Sequence, residues 1–227
     1  MARAGTARPL SPPSGEAVSL ADQAFYAIRE LIVTLELAPG AAINERELTE
    51  QLAIGRTPVR EALRRLTQEK LVEVYPRRGI FVTTIDVRDL ARLCEVRAVL
   101  EAEAARLAAE RATQADLDQV ADLLNELRAP KGRDDKALID LDQRIHRTIY
   151  RCTHNHFLEA TLDAYYALAL RIWMLALEET GELQAAVLEH RVLLEAVALG
   201  KGEAAAQVMR DHVQRFEVAM RRVLLAR

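Results

Sequence analysis

Four side chains in the C-terminal half are of types that ligate metals, and two of them have a spacing that brings them together. Asp142 and His146 lie four residues apart, so on an α-helix they share one face, rotated by only ~40°. His190 follows in Glu189-His190-Arg191-Val192 and His212 in Asp211-His212-Val213. Both have apolar neighbours at helical spacing, so each can turn towards a bundle core. Three imidazoles and one carboxylate suit Zn, Ni, Mn or Fe and leave coordination positions open. Facing helices of a bundle commonly frame such a site. The same four residues also read as ordinary core or surface side chains, since ligands scattered over three helices carry little information by themselves. A bound metal with open positions could serve hydrolysis, but no clear general base accompanies the set, so an enzyme is the weaker reading. His154 and His156 flank Asn155 and read as structural or surface residues.

A second constellation lies near the N-terminus. Arg56 and Arg60 are four apart and project from one helical face. From Gly55 to Arg78 there are seven basic side chains and three acidic ones. The whole chain has 227 residues, 31 Lys/Arg and 34 Asp/Glu, a formal charge of −3. That average speaks against a nucleic-acid partner, but it conceals a division. Residues 1–84 carry 11 basic and 10 acidic side chains, and the remainder 20 and 24. The basic excess therefore sits in one short stretch. Its alternative reading is a solvated helix face with Arg/Glu pairs.

The periodicity shows what must hold these residues. Phe25, Ile28, Leu31, Ile32 and Leu35 predict a first helix over 20–37, ended by Ala38-Pro39-Gly40. Asn44, with Glu47 three residues on, opens a second helix over 44–52. A third runs from Arg56 to Lys70, with Pro58 tolerated in its first turn. Leu71–Tyr75 alternates like a strand, Pro76-Arg77-Arg78-Gly79 turns, and Ile80–Thr84 is a second strand. Helix, short turn and helix followed by a hairpin is a winged helix-turn-helix layout. From Asp86 onward there is no strand-like run. About six helices are expected there, over 86–111, 114–128, 135–153, 156–179, 182–199 and 203–226. The fold class is therefore mostly α, with a winged helix-turn-helix domain over 19–84 and an all-α bundle over 85–227.

Composition excludes other classes. Half the residues are hydrophobic and only 4% aromatic, a globular, helix-biased balance. No apolar run reaches the ~20 residues of a membrane span. Residues 1–18 are rich in Pro, Ser, Gly and Ala and read as a disordered tail, not a secretory signal. Cys94 and Cys152 then read as reduced thiols in a cytoplasmic protein.

Arg56-Thr57-Pro58-Val59-Arg60-Glu61-Ala62-Leu63, preceded by Glu45-Arg46-Glu47-Leu48 and followed by Arg77-Arg78-Gly79-Ile80-Phe81-Val82, closely resembles the DNA-binding domain of GntR-family bacterial transcription regulators. The one departure is Gly55, where the family usually carries Ser or Thr. The resemblance implies a double-stranded, palindromic DNA operator bound by a homodimer. It implies contacts from Arg46, Arg56, Thr57, Arg60, Arg64, Arg77 and Gly79. Arg at the start of a recognition helix can read guanine O6 and N7 bidentately, and Gly79 lets the hairpin backbone approach a groove.

Residues 142–155, 189–205 and 209–213 resemble the helical FCD effector domain of the FadR-type branch. Metal-binding members of that branch carry Asp-x-x-x-His and two later histidines, a pattern that Asp142, His146, His190 and His212 match. The resemblance implies a divalent ion (Zn, Ni or Mn) and a small carboxylate effector bound beside it. Glu95-Val96-Arg97 also resembles the family. Arg97 could capture the carboxylate or pair with Glu101 at i+4. Tyr150, Arg171 and Trp173 are further candidates for the effector cavity. A repressor released by the acid is the reading this implies, with a pure metal sensor as the alternative.

Overall fold

The computed structural model describes residues 18–128, 135–180 and 183–226. The tail expected over 1–18, apart from Val18, lies outside the described residues, as do the breaks expected at Pro130-Lys131-Gly132 and Gly181. The chain divides into two units between Ile85 and Asp86.

In the first unit, α1 (Leu20–Val33) begins where the Ser19 hydroxyl accepts the Asp22 amide at 3.1 Å. Its buried face, Ala24, Phe25, Ile28 and Ile32, packs on α3 (Arg56–Gln68), which buries Val59, Ala62, Leu63 and Leu66. The helix stops four residues short of the expected Leu37. Leu35 turns left-handed at φ +65°, and the Leu37 amide donates to the Leu31 carbonyl at 2.8 Å. Periodicity alone could not show this stop, because Leu35 and Leu37 keep partly buried positions off the helix. Between the two helices lies α2 (Glu45–Leu52). Asn44 caps it as the spacing predicted, accepting the Arg46 and Glu47 amides, and its side-chain amide, rather than its backbone N–H, donates to the Glu47 carboxylate at 2.8 Å.

The sheet holds an element that the sequence did not reveal. β1 (Ala42–Ile43) pairs antiparallel with β3 (Gly79–Val82), which pairs with β2 (Val72–Tyr75), so the order is β1-β3-β2. Two residues cannot display alternation. Ala42 and Ile43 become a strand only because Phe81 and Ile80 arrive opposite them. The hairpin strands are a little shorter than expected, with Thr83 closing on the carbonyl of Lys70.

The second unit, among the described residues, is six helices with ends within one residue or so of those expected. They are α4 (Val87–Arg111), α5 (Gln114–Arg128), α6 (Asp135–Cys152), α7 (His156–Thr180), α8 (Leu183–Ala198) and α9 (Gly202–Ala226). α4 lies centrally, packed along α9 and also against α6, α7 and α8. Its start is capped by Asp86, which accepts the Arg88 amide at 2.8 Å, and α7 is capped by Asn155, which accepts the Phe157 and Leu158 amides. His154 and His156 are exposed, and His154 pairs with Asp116. Cys94 and Cys152 are free and buried. Burial pushes their thiols up to about 11 and about 12, which leaves little thiolate at neutral pH. Among the described residues no helix is long and apolar enough to cross a membrane.

Candidate functional site

The first unit presents its arginines on two elements. Burial of Val59, Ala62, Leu63 and Leu66 fixes the rotation of α3, which leaves Arg56, Thr57, Arg60 and Arg64 on the exposed side. Gly55 supplies no side-chain cap, so the first-turn amides stay open to a hydroxyl, water or phosphate oxygen. Arg60 reaches back to Glu45 at 2.6 Å, and Arg46 pairs with Glu50 at 3.3 Å. These solvent-exposed pairs contribute little to stability. Arg65, the neighbour of Arg64, is different. It pairs with Asp22 of α1 at 2.6 Å and lies over the Phe25 ring at 4.1 Å, so it joins α1 to α3.

At the hairpin tip the Arg78 amide donates to the Tyr75 carbonyl at 3.0 Å. Pro76 and Arg77 are the central residues, with Arg77 at φ +64°, the pattern of a type II turn. Gly79 follows at φ +112° with no heavy atom nearer than 3.9 Å to where a Cβ would stand. The glycine is needed for its backbone conformation rather than for space. Arg77 and Arg78 are thereby exposed at the tip.

In the second unit, α6, α8 and α9 bring together His146, His190 and His212. One ligand atom from each lies within 4.8 Å of the others, and all three residues are buried. The Nε2 atoms of His146 and His190 are 3.2 Å apart, a spacing that two ligands of one ion can hold when metal–nitrogen bonds are ~2.0–2.1 Å. The other ring nitrogens are engaged. His190 Nδ1 donates to the Val187 carbonyl at 3.2 Å. His146 Nδ1 faces the Glu101 carboxylate at 3.1 Å and the Tyr150 hydroxyl at 3.2 Å. With both Nδ1 atoms protonated, both Nε2 atoms carry lone pairs. Two such lone pairs at 3.2 Å repel unless a cation joins them. Burial, with the neighbouring His212 and His146, holds His190 well below the usual histidine range, so it is neutral and able to ligate.

Asp142 stands at the edge of this cluster. Its Oδ2 accepts the Tyr166 hydroxyl at 2.7 Å and lies 3.9 Å from His146 Nε2. Its Oδ1 is 3.6 Å from His190 Nδ1 and, although buried, accepts no hydrogen bond among the described residues. Three clustered imidazoles and a buried carboxylate oxygen with a spare lone pair fit a divalent cation.

The cluster borders a cavity of about 340 Å³, lined also by Arg97, Trp173 and Phe216. Of the two alternatives for Arg97, the pairing with Glu101 is realised. It lines the cavity, and its Nε donates to Glu101 at 2.6 Å with both side chains buried. Its Nη1 has no acceptor among the described residues. Tyr150 and Arg171, expected to meet an effector, are not in the cavity wall. Tyr150 is wholly buried beside His146. Arg171 is buried on α7, where loss of water pushes its guanidinium down to about 10.

One supporting residue was missed in sequence, and a second was read only as a partner of Arg97. Tyr166 orients Asp142, with no spacing to signal it. Glu101 joins Arg97 to His146. Burial opposes its charge, but Arg97 and His146 outweigh burial and hold the carboxyl below its usual range. The available signal was an Arg/Glu pair at i, i+4 on the apolar face of a long helix. A carboxylate behind a ligating imidazole fixes the tautomer. Glu101→Ala leaves a buried guanidinium unpaired and is expected to cost about 3–5 kcal/mol. Glu101→Gln is expected to fold and to weaken metal binding by about 10–100-fold. Denaturant titration and metal competition assays measure the two. A glutamine variant with unchanged metal affinity would show that Glu101 serves stability alone.

Known proteins share both units. The family model for "Bacterial regulatory proteins, gntR family" matches residues 20–82, and that for "FCD domain" matches residues 92–215. A Streptomyces ambofaciens protein named as an uncharacterized HTH-type transcriptional regulator in an unstable DNA locus is 34% identical over 196 residues, covering 84% of this chain and 80% of that protein. The galactonate operon transcriptional repressor of Escherichia coli is 30% identical over 210 residues, covering 82% of this chain and 90% of the repressor. Among solved structures, E. coli McbR/YncC superposes with a TM-score of 0.79 at 26% identity, over 90% of this chain and 98% of that one.

Proposed function

Since the chain belongs to the GntR family of bacterial transcription regulators and carries an FCD domain, we propose that it is a metal-dependent, acid-responsive repressor. It binds a palindromic DNA operator as a homodimer and is released by a small carboxylic acid. The observation that carries the effector half of this reading is the convergence of His146, His190 and His212, two of which, His146 and His212, line a cavity that Arg97 also lines. His146, His190, His212 and Asp142 would hold a divalent ion (Zn, Ni or Mn). When bound, that ion supplies positive charge and open positions for a carboxylate oxygen. Arg97, with a buried N–H lacking an acceptor, takes the other oxygen.

On the DNA side, Arg56 and Arg60 face base edges, and the Thr57 hydroxyl meets a phosphate. Arg46 and Arg64 meet phosphates, and Arg77 with Gly79 enters a neighbouring groove. The name of the E. coli relative supports repression. The acid must bind one arrangement of the dimer more tightly than another, or no equilibrium shifts.

The test is fluorescence anisotropy on DNA from upstream of the chain's own gene, using protein loaded with each of the three metals. Tight binding that weakens when a carboxylate is added supports the reading. Metal-dependent binding that no acid changes would leave a pure metal sensor instead. Turnover without DNA binding would point to a metalloenzyme.

A further inference from the structure

The cavity wall sorts into two chemically different parts. Charged and metal-ligating groups lie together, with Arg97, Asp142, His146 and His212 among them. Most of the rest is hydrocarbon. Leu170, Trp173, Phe216 and Met220 provide large apolar faces, and alanines such as Ala169 and Ala219 leave the room between them. Trp173 and Phe216 meet edge to face, with centroids 6.3 Å apart at 85°, and the Arg97 guanidinium lies 5.2 Å from the Phe216 ring. Phe216 therefore belongs to both parts and carries the wall from the charged end into the apolar one.

What the wall lacks is equally informative. Among the described residues no Ser, Thr, Asn or Gln lines it. Its single hydroxyl, on Tyr166, already donates to Asp142. The remaining charged pair, Glu189 with Arg215 at 3.0 Å, is about half exposed. A ligand with several hydroxyls would bury them against carbon, and hydroxyls without partners lose their hydrogen bonds to water with no replacement. The volume of about 340 Å³ is at the lower end of the ~300–1,000 Å³ that small-molecule sites span.

We infer that the effector is a compact monocarboxylate with an apolar, aryl or branched-alkyl body, and not a polyhydroxylated sugar acid or a polycarboxylate. This rests on the acid-responsive reading above and deepens it by naming the ligand class. One carboxylate engages Arg97 and the metal-ligating end. The body packs against Leu170, Trp173, Phe216 and Met220.

Trp173 is the only tryptophan in the chain, so its emission reports binding without a label. Zn-loaded full-length protein is titrated with phenylacetate, acetate, citrate and gluconate. Phenylacetate is expected to change the emission and to bind at least about tenfold more tightly than gluconate or citrate. Ala219→Leu, at a partly exposed position of the apolar wall, is expected to weaken phenylacetate by about tenfold while leaving acetate unchanged. Gluconate or citrate binding as tightly as phenylacetate overturns the inference and leaves the acid-responsive reading standing. If no acid changes either the Trp173 emission or the affinity for DNA, that reading itself fails.

Discussion

Arg60→Ala is expected to abolish specific operator binding while leaving the fold untouched. A bidentate arginine–guanine contact contributes ~1–3 kcal/mol of discrimination. The proposed homodimer would make it twice, so the expected loss is about 2–6 kcal/mol, enough to reduce a specific site to the level of bulk DNA. The structural cost is small. Arg60 is exposed, and its partner Glu45 is held at 2.6 Å in a pair worth ~0–1 kcal/mol. Circular dichroism and the thermal midpoint should therefore match the parent, while anisotropy on operator DNA shows the loss. Arg65→Ala is the matching control. Its head joins Asp22 and Phe25, so it should lower stability by about 1 kcal/mol or less and spare sequence discrimination. If Arg60→Ala keeps full operator affinity, α3 is not the recognition helix.

His190→Ala is expected to remove the metal and, with it, the response to acid. The residue is almost fully buried, and its Nε2 is 3.2 Å from that of His146. Removing it deletes a ligand, so the loss of metal affinity should exceed the ~10–100-fold that changes behind a ligand cost. Two measurements separate this from simple damage. The parent should gain about 4 kcal/mol of stability at a metal concentration a thousand times its dissociation constant, and the variant should gain none. Operator affinity of the metal-free variant should equal that of metal-free parent protein. One tightly held ion per chain in the variant, together with an intact acid response, would show that the cluster has been misread.

The two sites differ in how far they could be read from the chain alone. The recognition surface is local. Arg56, Thr57, Arg60 and Arg64 belong to one helix, and the buried Val59, Ala62, Leu63 and Leu66 fix its orientation by spacing alone. The histidine cluster is not local. Only Asp142 and His146 share a helix, and the arrival of His190 and His212 depends on how α8 and α9 pack beside α6. Recognising those four together required the resemblance. Spacing could not have done it.

The sequence by itself determined the two-unit organisation, nearly every helix, the N-cap at Asn44 and the exposed face of α3. All of these follow from periodicity and near-neighbour chemistry, whose range is one or two helical turns. Tertiary structure decided the rest. It ended α1 at Val33 by turning Leu35 left-handed, and it made a strand of Ala42 and Ile43 by bringing β3 alongside. It separated Arg65, bound to Asp22 and Phe25, from the exposed Arg64. It placed Glu101 between Arg97 and His146 and left Tyr150 and Arg171 out of the cavity wall. Except at the end of α1, where the Leu37 amide closes on the helix's own Leu31 carbonyl, the deciding partner lies on another element, and burial sets the strength of the contact. Neither the partner nor the burial exists until the helices have packed.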